Sequence, residues 1–240
     1  MLAHRGLALE APENTLLAFV AAIGLGVTHV ETDVHASSDH VAVVSHDPDL
    51  GRVAGVDARV DTLTMARLRA VDLGFDQGFC SLAEALDAFP ETRFNIDIKS
   101  ADAVLPTVAA VRDARAVDRV LVTSFSERRR RAAVALLPGV ATSASSSMFA
   151  AALAAGTARS GPLLRRVLRG VDAVQVPEQY SGVPIVTERM IRLLHSAKVE
   201  VHVWTVNDAP AMHRLLDLGV DGIVTDRADI ALGVLTTRAQ

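Results

Sequence analysis

Segments patterned as short β-strands alternate with segments patterned as helices along most of the 240-residue chain. The second half shows the repeat most regularly. Its pattern predicts helix 103–114 before strand 120–124, helix 127–137 before a short strand near 140–142, helix 188–197 before strand 200–205, and helix 209–218 before strand 222–225, with a last helix closing the chain. The first half adds the tail of a very short first strand at 1–3, unless that strand begins upstream. A helix follows that Asn14 can cap and that runs to about Gly24, with Leu16, Phe19, Val20 and Ile23 on one face. Strands are expected at 29–34 and 94–98, and strand 171–176 completes eight. Strands spaced this evenly by helices specify parallel β/α packing. Eight units favour a closed (β/α)8 barrel of the TIM type, for which roughly 250 residues suffice. No G-x-G-x-x-G follows the first strand, which argues against an open dinucleotide-binding sheet.

Two stretches break the rhythm. Val41–Ser45 reads as a further short strand, and residues 47–80 are then punctuated by Pro48, Gly51, Gly55, Gly74 and Gly78, with one short helix expected at 64–71. This is a small insertion on the catalytic rim after strand 2, inside a single domain spanning 1–240. Ser81-Leu82-Ala83-Glu84 is a capping box that opens a helix to Phe89. Residues 143–170 carry the weakest pattern, with helical pieces around 148–155 and 163–168, and 177–186 reads as a long loop. Half of the residues are hydrophobic but only 4% are aromatic, so the core is built from Ala, Val, Leu and Ile, which suits buried parallel strands.

The same composition excludes several classes. A net charge of −4 gives no reason to expect a nucleic-acid partner. The four consecutive arginines Arg128 to Arg131 are expected to form a solvated helix face. Cys80 is the sole cysteine, so no intrachain disulfide forms, and it reads as a small apolar residue. Nothing resembles a signal peptide, since only three residues precede His4-Arg5, and none is expected. The apolar stretch 132–156 is broken by Pro138, Gly139 and Ser143 to Ser147 and does not span a membrane. A soluble cytoplasmic protein is expected.

Glu31 and Asp33 lie two residues apart in a strand and therefore project to one face. Like charges held this close are costly to bury. Proton sharing, a basic partner or a bound cation relieves them. Taken alone, the pair is a barrel salt-bridge network. With His4, Arg5 and His46 nearby it becomes a metal-assisted active site. TIM-barrel active sites lie at the C-terminal strand ends, and His4, Glu31, Asp33, His46, Asp97, Lys99 and Trp204 all fall at or near such ends. The all-oxygen set Glu31, Asp33 and Asp97 suits a hard cation, Mg2+ or Ca2+. No serine or cysteine sits in a nucleophile motif. His4 and His46 are the natural general acid and base near neutral pH. His29, His35, His40, His195, His202 and His213 are given no catalytic role.

His4-Arg5-Gly6, Pro12-Glu13-Asn14-Thr15, Glu31-Thr32-Asp33 and His46-Asp47, in that order, resemble the glycerophosphodiester phosphodiesterase family. Asp97-Ile98-Lys99 fits its third block. Val203-Trp204-Thr205-Val206-Asn207 and Gly222-Ile223-Val224-Thr225-Asp226 fit its closing blocks, so the resemblance runs through essentially the whole chain. It implies a TIM-type barrel that hydrolyses small glycerophosphodiesters to sn-glycerol 3-phosphate and an alcohol. It also implies Glu31, Asp33 and Asp97 as metal ligands, Arg5 and Lys99 on the phosphate, and Trp204 against the substrate's carbon skeleton. The chain departs from the family at Asp97, where Glu is commoner, at Gly51 and Val53-Ala54, where polar residues are common, and at Ala228, where proline is usual. A lysophospholipase D-like relative is one alternative. It would want an exposed apolar rim, whereas loops 47–80 and 177–186 offer only scattered apolar residues. A silent polyol-phosphate binder is another, and it would tolerate loss of one histidine, yet both are present. The two-histidine inventory also fits a cyclic phosphate intermediate, formed by the substrate's own hydroxyl.

Overall fold

The computed structural model describes residues 1–180 and 182–238. Eight parallel strands carry the architecture: β1 (Leu2–His4), β2 (His29–Ala36), β3 (Arg93–Ile98), β4 (Val120–Thr123), β5 (Ala141–Thr142), β6 (Ala173–Pro177), β7 (Glu200–Trp204) and β8 (Gly222–Thr225). They are hydrogen-bonded in the order β5-β4-β3-β2-β1-β8-β7-β6. β8 returns onto β1, with Leu2 opposite Val224 and Ala3 opposite Thr225. The remaining seam, between β5 and β6, is joined by a parallel bridge from Ser143 to Ala173. There the Ala144 N–H donates to Ala173 O and the Asp172 N–H to Thr142 O, both at 2.9 Å. The fold is the expected (β/α)8 barrel, nearly closed.

Strand alternation sorts the side chains. In β3, Phe94, Ile96 and Ile98 pack outward among Leu82, Leu86, Val108 and Val111 of the surrounding helices. Asn95 and Asp97 face the cavity at the barrel mouth. β2 repeats the arrangement, with Val30 and Val34 outward and Glu31 and Asp33 inward. The apolar core is thus a shell between strands and helices, and the polar groups are confined to the axis. Phe19 is fully buried in this shell and meets Phe94 and Phe89 edge-on at 5.9 and 6.3 Å. Each such side chain contributes about 1.5–3 kcal/mol by burial.

Several local expectations change. The first helix, Leu16–Gly24, is capped by Thr15, whose Oγ1 accepts from the Ala18 N–H at 3.2 Å. Asn14 lies one residue too early and, at φ 56°, turns its side chain into the barrel mouth. The buried face of that helix is Ala18, Phe19 and Ala22, with Leu16 and Ile23 partly buried against the core beside it, while Val20 is exposed. Ala42–Val44 runs antiparallel to the end of β2, so the chain turns back and carries His46 over the mouth. The following segment forms a short helix at Gly51–Ala54, a 3-10 turn at Val60–Thr62, and Met65–Arg69 capped by Thr64, shorter than the expected helix at 64–71. It packs its own apolar cluster of Val43, Leu50, Val60, Met65, Leu68 and Phe79. The Ser81–Glu84 capping box forms as expected.

Residues 143–170 are more regular than their sequence suggests, with helices Ser146–Thr157 and Gly161–Val167. The expected loop 177–186 holds a two-stranded hairpin, Gln179–Tyr180 with Val183–Pro184. The arginine run is not a uniformly solvated face. Arg130 is 7% exposed and binds both Glu127 oxygens at 2.8 and 2.9 Å, while Arg129 reaches Ser124 Oγ at 2.9 Å. Among the described residues no helix is long and apolar enough to cross a membrane.

Candidate active site

A cavity of about 650 Å³ opens at the C-terminal ends of the strands. His4, Arg5, Glu31, Asp33, His46, Asp97, Lys99 and Trp204 all line it. The charged groups cluster on one half of the mouth, from β1 to just past β3. The other half, after β4 to β7, presents Phe125, Phe149, Leu153, Tyr180, Ile185 and Trp204. Only Tyr180 and Ile185 of these come from the loop 177–186 that reads as sparsely apolar; the fold adds the other four from elsewhere in the chain.

Arg5 adopts φ 56° and Gly6 φ 85°, which turns the chain sharply out of β1. A Cβ on Gly6 would lie 2.7 Å from the Ala18 carbonyl, so only glycine fits between this turn and the first helix. The turn aims Arg5 Nε at Asp33 Oδ2, 3.2 Å away. Lys99 Nζ lies 2.8 Å from both Asp33 Oδ1 and Asp97 Oδ2. Asn14 Nδ2 donates to Asp33 Oδ2 at 3.2 Å, and Asn14 is itself oriented by Thr32 Oγ1 at 2.8 Å.

These contacts divide the three carboxylates. Burial alone would raise Asp33, but Lys99 and Arg5 outweigh it and hold its carboxyl below the usual range. Glu31 lacks such a partner. Its Oε2 accepts from the Arg5 N–H at 3.3 Å and sits 3.9 Å from His4 Nε2. Burial first, then the charges of Asp33 and Asp97, push Glu31 well above the ordinary range. Burial also raises Asp97 despite Lys99, and Asp97 Oδ1 is buried with no hydrogen-bond partner. An all-oxygen donor set with surplus negative charge and an unpartnered carboxylate oxygen fits a hard cation. Among the described residues, no three His, Cys, Asp or Glu side chains stand close enough to hold an ion together. The Lys99 ammonium occupies the gap between the two aspartates.

Both imidazoles are held the same way. His4 Nδ1 lies 2.6 Å from Asp226 Oδ1. Asp226 is anchored by Asn207, which donates to its Oδ2 at 2.8 Å and accepts its N–H at 2.9 Å. The His4 hydrogen bond is the main cause that keeps Asp226 below its usual range. His46 Nδ1 lies 2.7 Å from Asp47 Oδ1. Burial would raise Asp47, but hydrogen bonds from His46 and Arg52 hold it low. A carboxylate on Nδ1 fixes each tautomer and leaves Nε2 for a ligand. Asp226, Asn207, Asn14 and Glu13 belong to the site although the sequence alone does not single them out. A signal exists, since each lies inside a motif block, but its partners are distant in sequence. Asp226→Asn is expected to lower kcat roughly 10- to 100-fold with unchanged melting temperature. Steady-state kinetics on the variant check this, and an unchanged kcat would show that His4 needs no orienting carboxylate.

The mouth of this (β/α)8 barrel thus brings two carboxylate-held imidazoles together with three further carboxyl groups, a guanidinium and an ammonium. The sequence model of the Glycerophosphoryl diester phosphodiesterase family matches residues 4–230, and the chain belongs to that family. It is 43% identical over 241 residues to the "Probable glycerophosphodiester phosphodiesterase 2" of Mycobacterium tuberculosis, covering 100% of this chain and 91% of the relative. The crystal structure of a glycerophosphodiester phosphodiesterase from Agrobacterium tumefaciens superposes with a TM-score of 0.79 at 25% identity, over 98% of each chain. An Oleispira antarctica phosphodiesterase, solved in complex with the product sn-glycerol-3-phosphate, superposes with a TM-score of 0.81 at 22% identity, over 98% of this chain and 96% of that one.

Proposed function

We propose that this protein, acting as one barrel domain with residues 47–80 as an insertion, hydrolyses glycerophosphodiesters to sn-glycerol 3-phosphate and an alcohol. The observation that carries the reading is the pair of imidazoles, each with a carboxylate on Nδ1, facing a cavity that also holds Arg5 and Lys99. Arg5 and Lys99 bind the phosphate oxygens. Trp204 and Phe125 meet edge-on at 6.1 Å, and Phe125 lies 5.7 Å from Lys99 Nζ, so an apolar wall stands beside the phosphate for the glycerol carbons. A divalent cation, Mg2+ or Ca2+, held by Glu31, Asp97 and Asp33, would supply further polarisation of the phosphate when bound. One histidine takes the proton of the glycerol hydroxyl next to the phosphate-bearing carbon, and that oxygen attacks phosphorus. The other histidine protonates the departing alcohol. Water then opens the cyclic phosphate with the two roles exchanged.

Intramolecular attack gains from proximity, since effective molarities reach about 10⁵ M and above. A diester whose glycerol is replaced by a simple alkyl group, with the same leaving alcohol, is therefore expected to bind but not to turn over. Hydrolysis at a rate comparable to the glycerol diester would make water the nucleophile and overturn this mechanism.

The apolar half of the mouth favours a second reading on the same site: a lysophospholipase D-like activity, in which the glycerol carries a single apolar chain. A cavity of about 650 Å³ lies in the size range that holds drug-sized ligands and leaves volume beyond a glycerol phosphate. Parallel assays of deacylated and monoacylated diesters separate the two.

A further inference from the structure

Arg52 belongs to no motif that points to chemistry, and it stands on the Gly51–Ala54 helix outside the barrel. Its guanidinium nevertheless joins the two arms of the site. Nε donates to Asp47 Oδ2 at 2.5 Å, on the carboxylate that holds His46. Nη1 and Nη2 donate to Glu13 Oε2 and Oε1 at 3.0 and 2.6 Å. Glu13 Oε1 in turn accepts from Arg5 Nη1 at 3.0 Å. Hydrogen bonds thus run from His46 through Asp47, Arg52 and Glu13 to Arg5.

We infer that Arg52 is a positioning residue that sets the catalytic imidazole and the phosphate-binding guanidinium in register with each other. This rests on the proposed roles of His46 and Arg5. Both ends of the chain of contacts need outside support. His46 follows the strand Ala42–Val44 and Arg5 follows β1, each just beyond the last sheet pairing, where the Ser45 N–H donates to Asp33 O and the Arg5 N–H to Glu31 O, both at 2.9 Å, so neither side chain is fixed by the sheet itself. The planar fork of an arginine can engage one carboxylate with two donors and still offer a third to another, which an ammonium cannot match. Arg52 itself is placed by a fixed turn. Leu50, two residues before it, is fully buried, its N–H donates to Ala58 O at 3.0 Å, and the Val60 N–H donates to Pro48 O at 3.0 Å. Gly55, at φ 66°, ends the short helix and bonds back to Gly51 O. The segment that follows Ala42–Val44 therefore holds one side chain against two loops of the barrel.

The two contacts predict separable effects. Through Asp47, loss of Arg52 loosens His46 and lowers kcat. Through Glu13, it loosens Arg5 and raises KM. A misplacement of about 1 Å at a reacting group costs on the order of 100-fold, and Arg52→Gln is expected to lose at least tenfold in kcat/KM, divided between both parameters. Arg52→Lys keeps the charge and recovers part of the loss.

The test is a pair of mutant cycles with the full chain on a glycerophosphodiester, with melting temperatures recorded for every variant. In an Asp47→Asn background, Arg52→Gln is expected to lower kcat no further. In a Glu13→Gln background, it is expected to raise KM no further. Full additivity in both cycles would overturn the inference, as would an Arg52→Gln enzyme with wild-type constants. Loss of activity that tracks a drop in melting temperature, and that Arg52→Lys does not relieve, would assign Arg52 to stability and also overturn it. His46→Ala, measured beside them, keeps the underlying reading separate. If His46→Ala retains turnover, the role of His46 fails; if it is inactive while Arg52→Gln is normal, only the role of Arg52 fails.

Discussion

Alanine at His4 or at His46 is expected to lower kcat by about 10²-fold or more and to leave the fold intact, as for loss of an acid–base group. The structural basis for the second half of that expectation is position. The His4 and His46 side chains are 19% and 34% exposed. Neither belongs to an apolar cluster, so removing the ring enlarges the existing cavity and creates no new void in the core. The orienting carboxylates remain, and each has a second partner to satisfy it: Asn207 for Asp226 and Arg52 for Asp47. Because the two rings serve opposite proton transfers of the same step, the double variant should lose far less than the product of the single losses. Kinetics and circular-dichroism melts on the three variants check both statements. Unfolding of either single variant would make that histidine structural.

Removal of divalent cations by exhaustive chelation is expected to stop turnover, with recovery on adding Mg2+ or Ca2+. Glu31→Ala, Asp33→Ala and Asp97→Ala are each expected to abolish it. Full turnover after chelation would sink the cation requirement. The carboxylates are expected to differ sharply in stability, although they agree in activity. Asp33 is paired with Lys99 and Arg5, whose side chains are 18% and 16% exposed. Asp33→Ala takes one partner from each of two largely buried cations, leaving Lys99 with Asp97 and Arg5 with Glu13, and is expected to lower the melting temperature. Glu31 has the opposite sign. Its folded pKa lies well above the unfolded value near 4.5. Once pH passes that unfolded value, the unfolded chain releases a proton that the folded chain retains. Stability therefore falls as pH rises from there through the folded pKa. Glu31→Gln removes this loss and raises the melting temperature of the cation-free protein at pH 7, while its activity is gone. The gain disappears below about pH 4.5, where the carboxyl is protonated in both states. A cation-free Glu31→Gln protein that melts below wild type at pH 7 would refute this account.

The active half of the mouth is legible in the sequence because its residues occupy strand ends. A strand's two-residue period makes Glu31 and Asp33 neighbours without any tertiary knowledge, and the β/α repeat places strand ends on one side of a barrel. Asn14 misleads for a local reason: a polar residue before an apolar helix is a cap candidate, and only the position of Thr15 shows that the cap is taken. Arg130 and Arg129 pass for solvated residues, because a run of like charges gives no hint that Glu127 and Ser124 lie within reach.

The amino-acid sequence by itself determined the barrel and the eight candidate residues that line its cavity. Periodicity and strand-end position are local properties, carried by residues within a few places of each other. The tertiary structure alone decided which groups support them. Asp226 meets His4 across 222 residues, Arg52 meets Glu13 across 39, and the apolar wall assembles Phe125, Phe149, Tyr180 and Trp204 from four separate segments. No local pattern encodes such contacts, since they depend on which strand ends the closed sheet brings side by side. The same closure decided the charge state of the carboxylates. Asp33 and Glu31 are two residues apart and equally acidic as sequence, yet one is held ionised by Lys99 and Arg5 and the other is pushed toward its protonated form by burial without a partner.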